Sequence, residues 1–152
     1  MPIDFSHPSR EPLIRLLGDA LGEFDAELSR RLATTAYSDL RPSHGCVFGH
    51  IDPDGSRLTD LASRARMTKQ SVGEVASELE QRGYVQRVPD PSDGRAKIIR
   101  LTVRGHEAQA LGWELINEIE REWAERVGTE RIAALREALE AVAAERLGAT
   151  PA

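Results

Sequence analysis

The stretch from Leu58 to Thr102 constrains the fold more than any other part of this 152-residue chain. Thr68 precedes a run in which apolar residues recur at steps of three and four, as on one face of a helix, and Gly83 ends that run. A shorter apolar-periodic segment comes before it, and two β-branched runs separated by turn residues come after it. This order predicts two short helices joined by a tight turn and followed by a two-stranded hairpin, which is a winged helix-turn-helix.

Capping and turn residues set the limits of these elements. We expect Thr59 to cap a helix that ends at Arg64 and Thr68 to cap the next one, because hydroxyls accept from the free amides of a first turn. The strands should cover 84–88 and 96–101, with a turn between them that is rich in proline, aspartate and glycine.

Long amphipathic helices are expected on both sides. One should run from Glu11 to about Ala36, and another should begin after Thr102, break at Gly128 and continue to Leu147. Their apolar stripes are too long to be covered by a core of some 60 residues, so we expect them to pair two copies of the chain. The alternative is a monomer that folds these helices back on itself. Representative dimer positions are Leu13, Leu17, Ile132, Leu135, Leu139 and Val142.

The fold class is therefore predicted to be mainly α with a small β-wing. We expect residues 1–9 to form a flexible arm, 37–102 the winged helix-turn-helix domain, and 10–36 together with 103–147 a helical dimerisation region. No apolar run approaches the ~18 residues of a membrane span and no signal segment is visible, so a cytoplasmic location is expected.

Charge is distributed unevenly along the chain. The net charge of −5 argues against a polyanionic partner, but residues 57–104 carry 10 basic and 6 acidic side chains, whereas the flanking parts are both acidic. The predicted winged domain is thus a basic island between acidic arms, and local charge is what a polyanion meets.

The start of the second helix carries groups suited to DNA. Base edges in a major groove are read by side chains near a helix N-terminus, and the first-turn amides suit phosphate. Gln70 would pair with adenine and Glu74 would accept from a cytosine amino group. An ordinary solvated helix face with a good cap explains the same residues equally well. The candidate DNA-binding residues of this helix are Thr68, Lys69, Gln70, Ser71 and Glu74.

The hairpin adds cations. Arg95 at the expected tip, with Lys97 and Arg87 on the strands, is what the negative potential of a minor groove attracts. Asp93 is expected to bind the turn amides and the Arg95 guanidinium, which would hold that side chain extended. The alternative is that Asp93 and Gly94 merely form a turn and Arg95 is solvated.

These residues resemble the MarR family, the multiple-antibiotic-resistance regulators, and the likeness is specific at the wing. The family's wing has the pattern Asp-Pro-x-Asp-x-Arg and leads to a Leu-Thr helix start. The resemblance implies a homodimer whose helix matching 68–81 enters the major groove and whose Arg95 enters the minor groove. Gly94 departs from it, because a second basic residue is frequent there. The matching residues here are Asp90-Pro91-Ser92-Asp93-Gly94-Arg95, Leu101-Thr102 and Gly105.

Other chemistry finds little support. His44, Cys46 and His50 do not converge on one ion at helical spacing, so no metal site is expected. No phosphate loop and no nucleophile–base spacing appears, so we expect neither an enzyme nor a cofactor. Cys46 remains open as an oxidation switch.

The sequence therefore predicts a homodimeric regulator of transcription that binds double-stranded DNA at a pseudo-palindromic operator. By resemblance it is a repressor relieved by a small, aromatic or phenolic effector. The alternatives are a winged-helix module that binds protein without DNA, and a redox-responsive regulator that uses Cys46.

Overall fold

The computed structural model describes residues 11–148, with side chains to residue 145. The expected arm at 1–9 lies outside these residues. The described chain is mainly helical with one two-stranded antiparallel sheet, which confirms the predicted fold class. A 3-10 turn at Pro42–His44 precedes α2. The elements are α1 (Leu13–Leu32), α2 (Gly45–Phe48), α3 (Leu58–Ala65), α4 (Lys69–Gln81), β1 (Val85–Asp90), β2 (Asp93–Leu101), α5 (Val103–Val127) and α6 (Thr129–Gly148).

The chain divides into two compact units, one ending at Trp113 and the other beginning at Glu114. The first contains the helix-turn-helix and the hairpin, and the second contains the later part of α5 and all of α6. The domain limits expected from the sequence stay a prediction. Within residues 11–148, no helix combines the length and apolar character that crossing a membrane requires.

The first helix is shorter than expected. α1 ends at Leu32, so the predicted end near Ala36 is wrong. The hydroxyls of Thr34 and Thr35 donate to the carbonyls of Arg31 and Leu32 at 2.9 and 2.8 Å. Threonine hydroxyls that bond nearby carbonyls compete with the helical pattern, and here a turn replaces the last expected helical residues.

The segment before α3 differs from expectation in its cap. Arg57, not Thr59, precedes the helix, and no side chain caps it. Ser56 instead pairs with Ile99 of β2 through two backbone hydrogen bonds of 2.9 and 2.8 Å. Gly55 before it has a φ of 102° and lies so close to the Ile99 carbonyl that a Cβ would approach to 2.8 Å. The start of α3 is thus fixed by strand-like pairing with the hairpin.

α4 follows the sequence prediction closely. The Ser71 N–H donates to Thr68 Oγ1 at 3.1 Å, which confirms the cap. Val72, Ala76 and Leu79 are buried and Val75 is half-buried, as one apolar stripe requires. The core of the first unit combines this stripe with Val47, Leu61, Tyr84, Val85, Ile99 and Leu101.

The hairpin is longer and its turn tighter than expected. β1 and β2 pair from Val85–Leu101 to Asp90–Asp93, so only Pro91 and Ser92 lie between the strands. The prediction that placed Arg95 at the tip is therefore wrong, and Arg95 lies on β2. The Asp90 carboxylate accepts from the backbone N–H and the hydroxyl of Ser92 at 2.9 and 2.8 Å, which closes the turn early.

The junction between β2 and α5 is a dense backbone corner. Thr102 Oγ1 accepts from the Gly105 N–H at 3.1 Å, which confirms the expected cap, and donates to the Gly83 carbonyl at 2.6 Å. At Gly105 a Cβ would lie 2.0 Å from the Tyr84 carbonyl oxygen. Glycine is needed there because the start of α5 touches the backbone that leaves α4.

Candidate nucleic-acid interface

The N-terminal end of α4 presents exposed polar side chains. Lys69, Gln70 and Glu74 are exposed, and Gln70 Nε2 lies 3.4 Å from Glu74 Oε1. Thr68 and Ser71 are joined to each other by the cap and by a 2.8 Å hydroxyl contact. The two hydroxyls predicted to contact DNA therefore have a structural task, whereas Lys69 and Gln70 project from the first turn.

The C-terminal half of α4 is engaged with its neighbours. Glu78 accepts from the guanidinium groups of Arg41 and Arg82, both at 2.5 Å. Desolvation is outweighed by the hydrogen bond and charge of His44, and then by the charges of Arg41 and Arg82, which hold the Glu78 carboxyl pKa below its usual range. Glu78 therefore joins α4 to the 3-10 turn.

His44 is the buried member of this cluster, at 1% exposed. Its Nδ1 accepts from the Arg41 N–H at 3.0 Å, so the proton of the neutral ring lies on Nε2, which is 3.4 Å from Glu78 Oε2. Burial lowers the pKa of His44. From the sequence we considered His44 only as a metal ligand, and no sequence signal indicated that Glu78 would be its partner.

Arg87 joins the wing to α4. Its guanidinium pairs with Glu80 at 2.5 Å and donates to Ser77 Oγ at 3.1 Å. The sequence expected Arg87 to be available to a minor groove. Both contacts instead hold β1 against α4.

A second ion pair fixes the tip of the wing. Arg57 pairs with the buried Asp90 at 2.7 Å, and Asp90 also accepts from Ser92. The bonds from Ser92 and then from Arg57 lower the pKa of Asp90 to about 2. Because Arg57 directly precedes α3, this pair ties the hairpin tip to the start of the helix-turn-helix.

Asp93 and Arg95 behave partly as expected. Asp93 Oδ1 accepts from the Arg95 backbone N–H at 3.1 Å, as predicted for a turn amide. No bond between the Asp93 carboxylate and the Arg95 guanidinium occurs among the residues described, so that part of the prediction is wrong. As Arg95 lies on β2, its side chain starts beyond the turn that Asp93 helps to shape.

The basic side chains of residues 57–104 differ in the partners that they bind. Arg57, Arg64, Arg82, Arg87 and Arg104 each pair with a carboxylate. Arg100 contacts only the Asp54 carbonyl, at 3.4 Å. Within the described side chains, four exposed cations form neither an ion pair nor a hydrogen bond, and they lie in the α3–α4 turn, at the start of α4 and on β2. They are Arg66, Lys69, Arg95 and Lys97.

An aromatic cluster in the first unit was not anticipated. The Arg104 guanidinium lies 4.6 Å from the centroid of the Tyr84 ring and 5.5 Å from that of Tyr37, and it donates to Tyr84 Oη at 2.9 Å. Tyr84 donates to Asp39 at 2.6 Å, and burial is the largest cause that raises its pKa to about 12. The cluster packs the start of α5 against the loop after α1.

Cys46 is half-buried, and burial raises the pKa of its thiol. A raised pKa lowers the thiolate fraction, which does not favour an oxidation switch. Within the described residues, no three His, Cys, Asp or Glu side chains are arranged to hold a metal ion.

Known proteins share both the segment and the fold. The MarR family model matches residues 38–96. The transcriptional regulator HosA of Escherichia coli O111:H- is 27% identical over 90 residues, which cover 59% of this chain and 67% of HosA. The transcriptional repressor CouR bound to a 23-mer DNA duplex has a TM-score of 0.76 and 24% identity, covering 94% of this chain and 99% of that one. CouR from Rhodococcus jostii RHA1 bound to p-coumaroyl-CoA has a TM-score of 0.73 and 22% identity, covering 88% and 92%.

The described chain has a winged helix-turn-helix fold, and four of its cations are exposed and unpaired among the described residues. The matched segment contains α2 to α4, β1 and the first part of β2. This segment of the chain is similar to the MarR family of transcription regulators.

Proposed function

We propose that this protein acts in the cytoplasm as a homodimeric repressor that binds a pseudo-palindromic operator and is released by a small ligand. The observation that carries the DNA contacts is the separation of the basic side chains. Five cations of residues 57–104 are paired with carboxylates, whereas Arg66, Lys69, Arg95 and Lys97 are exposed and unpaired among the described residues. Unpaired cations are the groups that displace counterions from phosphate.

In this proposal α4 enters the major groove with its N-terminal end. Gln70 and Glu74 face the base edges, while Lys69 and the first-turn amides meet phosphate. Thr68 and Ser71 contribute by holding the cap in place, because their hydroxyls bond each other.

The wing follows the backbone into the minor groove. Arg95 and Lys97 are both exposed on β2, and Arg95 lies where the register of the hairpin is irregular. Asp93 shapes the turn before them by accepting from the Arg95 amide. Arg87 is a positioning residue here, because its guanidinium already bonds Glu80 and Ser77.

Exposed apolar side chains support the dimer. Leu13 and Ile14 of α1 are 69% and 81% exposed, and Val142 of α6 is 69% exposed. Exposed apolar side chains grouped along a helix mark an interaction surface. Leu17, Leu135 and Leu139 are also exposed and Ile132 is half-buried, as expected of positions that a second copy covers. Pairing would place two α4 helices roughly 34–36 Å apart, one turn of the duplex.

The dimer is testable by sedimentation velocity. Leu13→Glu together with Val142→Glu should shift the protein to monomer, because each places a charge among the exposed apolar side chains of its own helix. Ser29→Glu, at an exposed polar position on α1, is the matched control and should leave the dimer intact. A wild-type monomer at micromolar concentration would refute the dimer.

The ligand is proposed to be aromatic or phenolic and to bind near α1, α2 and the start of α5. The structure of CouR with p-coumaroyl-CoA supports this ligand class. In this chain α2 and α5 are joined by Gln109, whose amide donates to the Phe48 carbonyl at 2.8 Å. Titration with p-coumarate and with its CoA thioester, followed by calorimetry and by release from DNA, tests the class. A ligand that binds without changing DNA affinity would not be an effector, because regulation requires different affinity for two states.

Selection of bound fragments from random duplex DNA tests the main proposal. We expect a symmetric consensus with half-sites one helical turn apart, and an affinity that falls steeply as salt rises. The rival function is a winged-helix module that binds protein alone. It predicts negligible binding to any duplex even at low salt, and that result would reject DNA binding.

A further inference from the structure

The turn between α3 and α4 contains an arginine in an unfavourable backbone conformation. Arg66 has φ 55° and ψ 41°, the left-handed region, and no other non-glycine residue among 11–148 has a positive φ. A residue with a Cβ is strained in this backbone conformation. The conformation therefore persists only where another interaction favours that residue.

The same motif occurs twice, which makes the strain clear. At the end of α3 the Met67 N–H donates to the Ala62 carbonyl at 3.0 Å and Arg66 occupies the left-handed position. At the end of α4 the Tyr84 N–H donates to the Leu79 carbonyl at 2.9 Å, and Gly83 occupies that position with φ 80°. Both are Schellman ends, for which glycine is the favoured residue. The first of them has arginine instead.

No hydrogen bond or ion pair of Arg66 among the described residues explains this choice. Its side chain is exposed and forms no hydrogen bond or ion pair with any side chain that the structure describes. It stands two residues before the cap Thr68 and three before Lys69, at the end of α4 that carries free polar groups. A cation at this place adds positive charge beside the exposed amides of the first turn.

We infer that Arg66 is a further DNA-contacting residue and binds a backbone phosphate next to the recognition helix. This inference rests on the proposed function, because it takes α4 as the helix that enters the groove. In this inference the strain of the left-handed backbone at Arg66 is retained for that contact. A phosphate contact carries no sequence information, so it adds affinity rather than specificity.

Three variants of full-length protein test it on a duplex recovered from the selection, with affinity measured from 50 to 300 mM salt. Arg66→Gly removes both charge and strain. Arg66→Asn removes the charge but keeps a residue that tolerates the left-handed region. Arg66→Lys restores the charge. Gly83→Arg provides the matched control for strain, since it places arginine in the same motif at the end of α4.

We expect Arg66→Gly and Arg66→Asn to reduce the salt slope by ~0.9 for each bound protomer and to weaken binding about eightfold per protomer at 0.1 M salt. Arg66→Lys should keep most of the slope. At the same time Arg66→Gly should raise the denaturation midpoint and Gly83→Arg should lower it. The glycine variant is thus more stable and binds DNA more weakly.

Binding and salt slope equal to wild type in Arg66→Gly would overturn the inference. A weaker affinity with an unchanged slope would also overturn it, since the loss would then come from the backbone and not from a phosphate contact. If wild-type protein itself binds no duplex at low salt, it is the proposed function that fails. A lower midpoint in Arg66→Gly would reject the strain argument.

Discussion

The charged and polar side chains at the two ends of α4 differ in whether they bind other residues of the protein. At its N-terminal end Lys69 and Gln70 are exposed, and Lys69 has no ion pair among the described residues. At its C-terminal end Glu78 and Glu80 bind Arg41 and Arg87 from other elements and Arg82, which directly follows α4. One end is left for a partner and the other is fixed to the protein.

Whether a charged side chain has a partner within the protein distinguishes candidate binding residues from positioning residues more clearly than the sign of its charge does. Arg87 and Arg95 lie on the two strands of the same hairpin, and the sequence assigned both to DNA. Arg87 is held by Glu80, whereas Arg95 is exposed. We propose that DNA is contacted by the arginine without an internal carboxylate, and the variants below test this distinction.

Arg95→Ala should have the largest effect. Loss of the exposed wing arginine should weaken operator binding by on the order of 1–3 kcal/mol per protomer, chiefly through the A·T-rich flank, with little change in stability. Fluorescence anisotropy with duplexes that differ only in the flank measures it. Unchanged affinity would remove Arg95 from the interface.

Gln70→Ala should relax base preference at one position by roughly 1–2 kcal/mol, because it removes from the first turn of α4 the side-chain amide that is proposed to face the base edges. Non-specific binding should remain nearly intact. Competition between the operator and single-base variants reports the change. A uniform loss across all sequences would make Gln70 a phosphate contact.

Gly94→Lys should strengthen binding. No atom lies within 4 Å of the position a Cβ would take, so a lysine fits on the wing beside Arg95. A new phosphate contact should steepen the salt slope by ~0.9 and improve affinity about eightfold per protomer at 0.1 M salt. Gly94→Gln serves as the uncharged control, and an equal gain with glutamine would show that charge is not the cause.

Arg87→Ala should act on stability first. Removing its guanidinium leaves Glu80 and Ser77 without that partner and should cost about 1 kcal/mol of unfolding free energy. Denaturant unfolding measures the loss. Because Arg87 is not a phosphate contact here, the salt slope should equal that of wild type, and a slope reduced as in Arg95→Ala would erase the distinction between the two arginines.

His44 gives the fixed end of α4 a pH dependence. Burial lowers its pKa from the ordinary value of 6.5, so the unfolded chain takes up the proton first and stability falls as pH drops below about 6.5. Glu78 favours the charged ring, whereas Arg41 and Arg82 oppose it. His44→Asn, which keeps an acceptor for the Arg41 N–H, should lose less stability between pH 7.5 and 5.5. An identical decline in both proteins would assign the effect elsewhere.

Local features were predictable and long-range pairs were not. The Thr68 cap, the left-handed Gly83 and the Thr102 cap follow from residue types that act on neighbouring backbone. Arg57 and Asp90 are 33 residues apart, and no periodicity in the sequence indicates that their side chains are in contact. The same limit explains the assignment of Arg87 to DNA, since its partner lies on another element.

The errors at the hairpin turn and at Arg66 have a different cause. Turn-forming residues extend from Pro89 to Arg95, but the turn needs only two of them once Asp90 bonds Ser92. Arg66 was missed because a left-handed backbone cannot be read from an arginine. The one signal available was a helix end without glycine, followed two residues later by the cap of the next helix.

The corner at Thr102 joins the end of the α4 segment to the start of α5 through one side chain. One hydroxyl bonds both the end of the α4 segment, at Gly83, and the first turn of α5, at Gly105, and the absence of a Cβ at Gly105 lets the two backbones touch. α5 has 25 residues and is therefore roughly 37 Å long. Because its first turn is hydrogen-bonded to Gly83 just after α4, we expect a displacement of that turn to be passed to α4.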